Sequence, residues 1–121
     1  MKTTLITGGL GFIGSNICDS LLQKKYTNKC ILLDNFGGYM NPIKDSFIDF
    51  RKQRFSSLKN ITIERCDTSN YKALSSIINK YKPNYIYHTA ALPLAKVSNL
   101  NNEEAKISSV DSTVNIIDAI N

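Results

Sequence analysis

Thr7-Gly8-Gly9-Leu10-Gly11-Phe12-Ile13-Gly14 is the stretch whose reading decides the fold. It satisfies the G-x-G-x-x-G spacing through Gly9, Gly11 and Gly14, and the related G-x-x-G-x-x-G spacing through Gly8, Gly11 and Gly14. Context makes the match specific. A short apolar run, Thr4 to Thr7, comes directly before the glycines, and Ile13, Ile17, Leu21 and Leu22 follow at helical spacing up to about Tyr26. Strand, glycine turn and helix are the order that a dinucleotide fingerprint demands. The early glycines permit a tight turn and let a pyrophosphate approach the backbone, while Gly14 lets helix and strand pack closely. Unpaired amides around Phe12 and Ile13, at the positive end of the helix dipole, are then expected to donate to the phosphates.

Outward from that turn the pattern repeats. Cys30 to Asp34 reads as a buried strand, and the polar stretch after it carries Phe47, Phe50 and Phe55, with a helix expected within Asp45 to Ser57. Ile61 to Cys66 is β-branched and strand-like, Asp67 to Asn70 offers helix-capping side chains, and Tyr71 to Lys80 places Leu74, Ile77 and Ile78 on one helical face. Pro83 and Asn84 punctuate the chain before a fourth strand, Tyr85 to His88, which runs into the small residues Thr89 to Ala91, and a final helix is expected from Glu103 to about Ile120. Four strands, each followed by a helix, predict a three-layer α/β domain of Rossmann type: a parallel sheet in the order 3-2-1-4, with a cofactor across the strand C-termini at the switch point between the first and fourth strands. Leu21, Leu74, Ile77, Ile116 and Ile117 are expected in the core. Asp34 lies about 20 residues beyond Gly14, where an acidic side chain binds the adenine ribose hydroxyls; a carboxylate there repels a 2′-phosphate and favours NAD over NADP.

Composition bounds the remaining classes. The chain has 121 residues, the size of one domain, and its hydrophobic fraction of 42% with a charged fraction of 21% excludes collagen-like, disordered and membrane-inserted classes. The formal charge of +5 comes from lysines scattered along the chain without a dense basic cluster, so no nucleic-acid partner is expected. Cys18, Cys30 and Cys66 are odd in number, far apart and form no C-x-x-C pair, which suggests neither disulfides nor a metal and fits a reducing, cytoplasmic setting. The apolar stretch after Lys2 is too brief for a signal peptide, and nothing approaches membrane-spanning length. The N-I-T sequence at Asn60 to Thr62 is read as a chance match to a glycosylation acceptor.

With these residues placed, the chain resembles the extended short-chain dehydrogenase/reductase family, and within it the NAD-dependent epimerase/dehydratase branch that acts on nucleotide sugars. The pieces that carry the resemblance are T-G-G-L-G-F-I-G-S at Thr7 to Ser15, D-N-F at Asp34 to Phe36, C-D-T at Cys66 to Thr68 and H-T-A-A at His88 to Ala91, and they span nearly the whole sequence in order. The resemblance implies NAD as cofactor, held by Gly8, Gly11, Phe12, Ile13 and Gly14, by Asp34 and Asn35, by Asp67 and Thr68 at the adenine, and by Ala90, Ala91 and Leu92 beside the nicotinamide end. Taken alone, Asp67 reads equally well as the N-cap of the helix at Tyr71. His88 has no evident nucleophile or carboxylate beside it, so it is read as a hydrogen-bonded histidine at a strand end rather than a catalytic one. The segment Asp34 to Lys44 is similar to the loop of UDP-glucuronate 4-epimerases and related UDP-hexose epimerases. Lys96 to Ser98 falls where such epimerases carry a basic residue and a serine near the substrate phosphates, although an exposed lysine reads equally as plain surface.

Two departures from the family pattern bear on function. In the last helix the usual N-V-x-G-T is replaced by S-V-D-S-T at Ser109 to Thr113, so serines stand for the asparagine and the glycine. Family chemistry also requires Y-x-x-x-K, a tyrosine acid/base with a lysine lowering its pKa. The residues four beyond the tyrosines here are Cys30, Ile43, Ser75, Tyr85, Thr89 and Ala91, none of them lysine. Residues 1–121 are therefore expected to be the NAD-binding part of a longer enzyme without its substrate domain, and to be catalytically incompetent alone. The parent reaction implied is UDP-sugar 4-epimerisation in a homodimer acting on a nucleotide sugar. The alternatives are a 4,6-dehydratase or reductase fragment, a non-catalytic NAD-binding module, or a remnant that binds no nucleotide.

Overall fold

A computed structural model describes residues 1–37, 43–91 and 102–121, with the side chains of residues 43–48 outside the description. The order of elements is β1 (Thr3–Thr7), α1 (Phe12–Gln23), β2 (Lys29–Asp34), α2 (Ile43–Ser56), β3 (Ile61–Arg65), α3 (Tyr71–Tyr81), β4 (Tyr85–His88), α4 (Asn102–Ala105), a π-helical stretch (Lys106–Asp111) and α5 (Ser112–Ile120). The strands form one parallel sheet in the order β3-β2-β1-β4, as expected. Thr7 pairs with Leu33 on one side and His88 on the other, and Asp34 pairs with Arg65, so the C-terminal ends of all four strands share one edge.

Period-two alternation in the central strands explains the three layers. Ile6, Cys30 and Leu32 point to one face, where Cys18 of α1 and Phe55 of α2 cover them. Leu5, Ile31 and Leu33 point to the other, against Leu74 and Ile78 of α3 and Ile116 of α5. Both faces of β1 and β2 are thus buried, which is why Leu-Ile and Cys-Ile-Leu-Leu read as unbroken apolar runs. α3 begins at Asn70, whose side chain accepts the Ala73 amide at 3.1 Å, and ends at Lys82 in the left-handed region. The cap is therefore Asn70 and not Asp67, whose carboxylate turns back onto Ser69 instead.

One expectation is corrected. Ile117 is 51% exposed, because α5 meets α3 through Ile116 and Ala119 and turns Val114 and Ile117 outward. Ile13, although at helical spacing with Ile17 and Leu21, is 63% exposed at the open end of α1. Among the described residues no helix is long and apolar enough to cross a membrane.

Leu32 is fully buried between α1, α2 and the sheet. Leu32→Ala should lower the unfolding free energy in urea by about 2–5 kcal/mol, and a loss below about 1 kcal/mol would contradict the assigned core. Ile117→Ala should change it by less than about 0.5 kcal/mol.

Candidate functional site

The glycine turn is built around two positions that admit no side chain. Gly8 has φ +64, and a Cβ on it would lie 3.0 Å from the backbone of Ala90, where the chain leaves β4. A Cβ on Gly14 would sit 2.3 Å from the Gly8 carbonyl oxygen, so only glycine lets α1 rest on the turn. The Gly11 amide donates to the Gly8 carbonyl at 2.9 Å, and the Ser15 amide to the Gly11 carbonyl at 3.0 Å, which closes the turn into the helix.

What the turn leaves open matters as much. Gly11, at the N-cap of α1, supplies no capping side chain, and the first turn carries no acidic residue. Among the described residues the amides of Phe12 and Ile13 meet no acceptor, and their side chains are exposed. Among the described residues a Cβ on Gly11 would meet only the Gly8 carbonyl oxygen, at 3.1 Å. Unpaired donors, a helix dipole and a vacated side-chain position converge on one point, a combination suited to an anion.

Asp34 stands beside it at the end of β2. Its Oδ2 accepts the Leu10 amide at 3.1 Å and its Oδ1 the Phe36 amide at 2.9 Å, so the half-buried carboxylate ties the glycine turn to the β2 terminus while each oxygen keeps accepting capacity. Asn35 accepts the Gly37 amide at 2.8 Å. Beyond β3, Asp67 is exposed and held by the Ser69 amide and hydroxyl at 2.9 and 2.8 Å, and Thr68 is buried beneath it. Asn115 of α5 donates to the carbonyls of Thr68 and Ser69 at 3.0 and 3.1 Å, tying the last helix to this loop.

On the β4 side Thr7 organises the chain. Its hydroxyl oxygen accepts the amides of Thr89 and Ala90 at 3.1 and 3.2 Å, while the Thr89 hydroxyl donates to the Thr7 carbonyl at 2.6 Å. Having accepted twice, the Thr7 hydroxyl has its proton to give to His88 Nδ1 at 2.7 Å. That assigns the His88 proton to Nε2, which donates to Ser112 Oγ at 3.4 Å, and Ser112 donates onward to the Ser108 carbonyl at 2.6 Å. The chain is satisfied from end to end, and burial lowers the His88 pKa. His88 is therefore a structural histidine, as its sequence context suggested.

The structure brings Gly8, Gly11, Phe12, Ile13, Gly14, Asp34, Asn35, Asp67, Thr68, Ala90 and Ala91 to the C-terminal edge of the sheet or to the turns just beyond it. Leu92, Lys96 to Ser98 and residues 38–42 of the loop after Asp34 lie outside the described residues. The roles of Thr7, Ser112, Asn115 and Arg51, whose Nη1 donates to the Leu10 carbonyl at 2.7 Å, were not read from the sequence. A threonine directly before the glycines was a usable signal for the first, whereas contacts 24 to 47 residues apart leave no local trace for the others. Among the described residues no three His, Cys, Asp or Glu side chains gather closely enough to hold a metal.

Comparison with known proteins agrees with this geometry. The sequence profile of the GDP-mannose 4,6 dehydratase family matches residues 5–121. The probable polysaccharide biosynthesis protein EpsC of Bacillus subtilis is 30% identical over 118 residues, covering 98% of this chain and 19% of that protein. UDP-glucose 4-epimerase of Caenorhabditis elegans is 32% identical over 90 residues, covering 73% of this chain and 25% of its own. The crystal structure of Thermus thermophilus UDP-glucose 4-epimerase in complex with NAD superposes with a TM-score of 0.72 at 23% identity, over 97% of this chain and 33% of that one. The chain thus spans between a fifth and a third of the length of these proteins.

The Thr7–His88–Ser112 chain has a pH signature. His88 is the sole histidine, and its folded-state pKa lies below the ordinary value of 6.5. A depressed histidine pKa contributes stability that is fully present above 6.5 and lost as pH falls below it through the folded-state value. The urea midpoint should therefore drop between pH 7.5 and pH 5.5, and His88→Gln should flatten that drop; an equal drop in the variant would refute the assignment.

Proposed function

We propose that this chain, which belongs to the GDP-mannose 4,6 dehydratase family within the NAD-dependent epimerase/dehydratase branch of the extended short-chain dehydrogenases/reductases, binds NAD along the C-terminal edge of its sheet. The observation that carries the proposal is the cluster of unpaired amides at the start of α1, facing the open side of Gly11, with the Asp34 carboxylate fastened to the same turn through Leu10. The residues fit the cofactor in size and charge: small where a pyrophosphate must approach, donors where it is anionic and an acceptor where ribose presents hydroxyls.

Each residue has an assigned part. Gly8, Gly11 and Gly14 shape the turn, and the amides of Phe12 and Ile13 donate to the pyrophosphate. Asp34 and Asn35 face the adenosine ribose, Asp67 and Thr68 the adenine. Ala90 and Ala91, drawn against β1 by the Thr7 hydroxyl, border the nicotinamide end, with Leu92 assigned beside them. When bound, NAD supplies a transient acceptor for a hydride from a sugar carbon. What these 121 residues contribute is binding and orientation, not the proton transfer, because no tyrosine has a lysine four positions on.

We assign residues 1–121 as the cofactor-holding part of a nucleotide-sugar epimerase whose parent reaction is UDP-sugar 4-epimerisation, in keeping with the epimerases among its relatives. By itself this part is proposed to be catalytically incompetent. A nucleotide-sugar 4,6-dehydratase is the second reading, favoured by the family whose profile the chain matches. The outward apolar face formed by Val110 of the π-helical stretch with Val114 and Ile117 of α5 supports a homodimeric parent, and three free, buried cysteines support the cytoplasm as its setting.

Titration of NADH fluorescence against the chain should give saturable binding that Gly11→Val abolishes, since valine fills the space left open at the α1 N-terminus. No binding at millimolar NADH, on the order of a weak small-ligand affinity, would overturn the proposal.

A further inference from the structure

The fold gathers lysines that the sequence scatters. In a parallel sheet with alternating helices, every strand starts and every crossover helix ends at the edge opposite the glycine turn. Lys2 directly precedes β1, Lys29 opens β2 and Lys59 lies two residues before β3. The backbone keeps them side by side: the Lys2 carbonyl accepts the amides of Asn28 and Lys29 at 2.9 and 3.2 Å, and the Cys30 amide donates to the Asn60 carbonyl at 2.9 Å. Lys24 and Lys25 follow the last turn of α1, and Lys82 ends α3, at the same edge. Lys25 and Lys82 have φ of +58 and +45, where glycine is favoured, so lysine holds two positions that the backbone alone would give to another residue. Among the described residues none of these six lysines is ion-paired. The carboxylates toward this end are Asp19, held by Arg54, Glu64, held by Lys80, and exposed Asp118 in the last turn of α5. Asp34 and Asp67 lie at the opposite edge. The negative ends of α1 and α3 explain the lysines that close them, but Lys2, Lys29 and Lys59 begin strands, which carry little net dipole. Exposed Met1, Tyr26 and Leu58 sit at the same edge, before β1, after α1 and before β3.

From this arrangement we propose that the strand-start edge of the sheet is a docking surface for an anionic lipid bilayer, which holds the chain peripherally with the cofactor edge turned away from the membrane. The inference goes beyond the cofactor reading and does not depend on it, because the two surfaces lie at opposite edges. A lipid surface presents diffuse negative charge, and compact lysine ammonium groups spread over three strand starts and two helix ends match it without fixed partners. The arginines, whose planar forks grip individual phosphates, are engaged elsewhere: Arg54 with Asp19, and Arg51 and Arg65 toward the Asp34 end of the sheet. Tyrosine, methionine and leucine tips among the lysines suit the headgroup layer, where amphipathic rings and apolar ends settle. Nucleic acid fits less well, since among the described residues no helix or two-stranded ribbon projects from this edge to enter a groove.

The test is co-sedimentation of the chain with phosphatidylcholine vesicles, with and without about 30% phosphatidylserine. At about 50 mM salt the anionic vesicles should retain the chain and the neutral ones should not, and about 500 mM salt, which shortens the range of charge to about 4 Å, should cut retention at least about tenfold. Lys2→Glu/Lys59→Glu should weaken partition by about tenfold or more, whereas Lys72→Glu/Lys106→Glu, with the same net charge but changed away from this edge, should weaken it by less than about threefold. Lys2→Gln/Lys59→Gln, which removes the charges without placing new ones at the strand starts, should act in the same direction as the first pair if circular dichroism shows that pair unfolded. Equal retention on neutral vesicles, retention on neither, or equal losses in the two glutamate variants would overturn the inference. A mixed-sequence single-stranded oligonucleotide that strips the chain from anionic vesicles at equal phosphate concentration would assign the surface to nucleic acid and overturn it too.

Discussion

The contact on which the rest of the structure depends is the approach of α1 to the end of β1, where a Cβ on Gly14 would stand 2.3 Å from the Gly8 carbonyl oxygen. No other residue type fits there. Because the helix rests directly on the turn, its first amides meet no acceptor among the described residues, and among those residues a Cβ on Gly11 would meet only the carbonyl that closes the turn. The central position of β1 follows from the same constraint, since its terminus must be flanked by β2, which brings Asp34 to Leu10, and by β4, which brings Ala90 to Gly8. A helix end suited to an anion and a topological switch point therefore coincide at this turn.

Strand order, element types and the buried runs were legible in the sequence because they follow from short-range rules. Cys-Ile-Leu-Leu can be continuous and apolar only in a strand covered on both sides, and Tyr85 to His88 begins after proline and asparagine and stops before small residues. The backbone part of the site was legible for the same reason. Less so were side chains whose partners lie far along the chain. Arg51 reaches Leu10 across 41 residues and Asn115 reaches Thr68 across 47, and neither has a local pattern. Ile117 misled because periodicity marks an apolar face without saying whether anything covers it; α5 carries apolar side chains on two sides and meets α3 with one of them.

Serine at position 112, where the family pattern has glycine, has a physical explanation. Ser112 is fully buried, and its hydroxyl accepts from His88 and donates to the carbonyl of Ser108, extending a hydrogen-bonded chain that starts at the Thr7 hydroxyl. The bond to Ser108 lies where the π-helical stretch Lys106–Asp111 passes into α5. Far from disturbing the last helix, the serine links it to β4 and, through Thr7, to the backbone of Thr89 and Ala90. Ser109 plays no such part: it is exposed, and its carbonyl accepts the hydroxyl of Thr113 within the helix.

Everything functional here rests on the α1 N-terminus and the Asp34 corner being the place where a dinucleotide lies. Amide chemical-shift mapping of the isotope-labelled chain on adding NAD tests this most directly. The largest shifts should fall on Gly11, Phe12 and Ile13, with a second group at Asp34 to Gly37 and smaller ones at Thr89 to Ala91. Shifts confined to other surfaces, such as the outer face of α5 or the outer edge of β3, would contradict it.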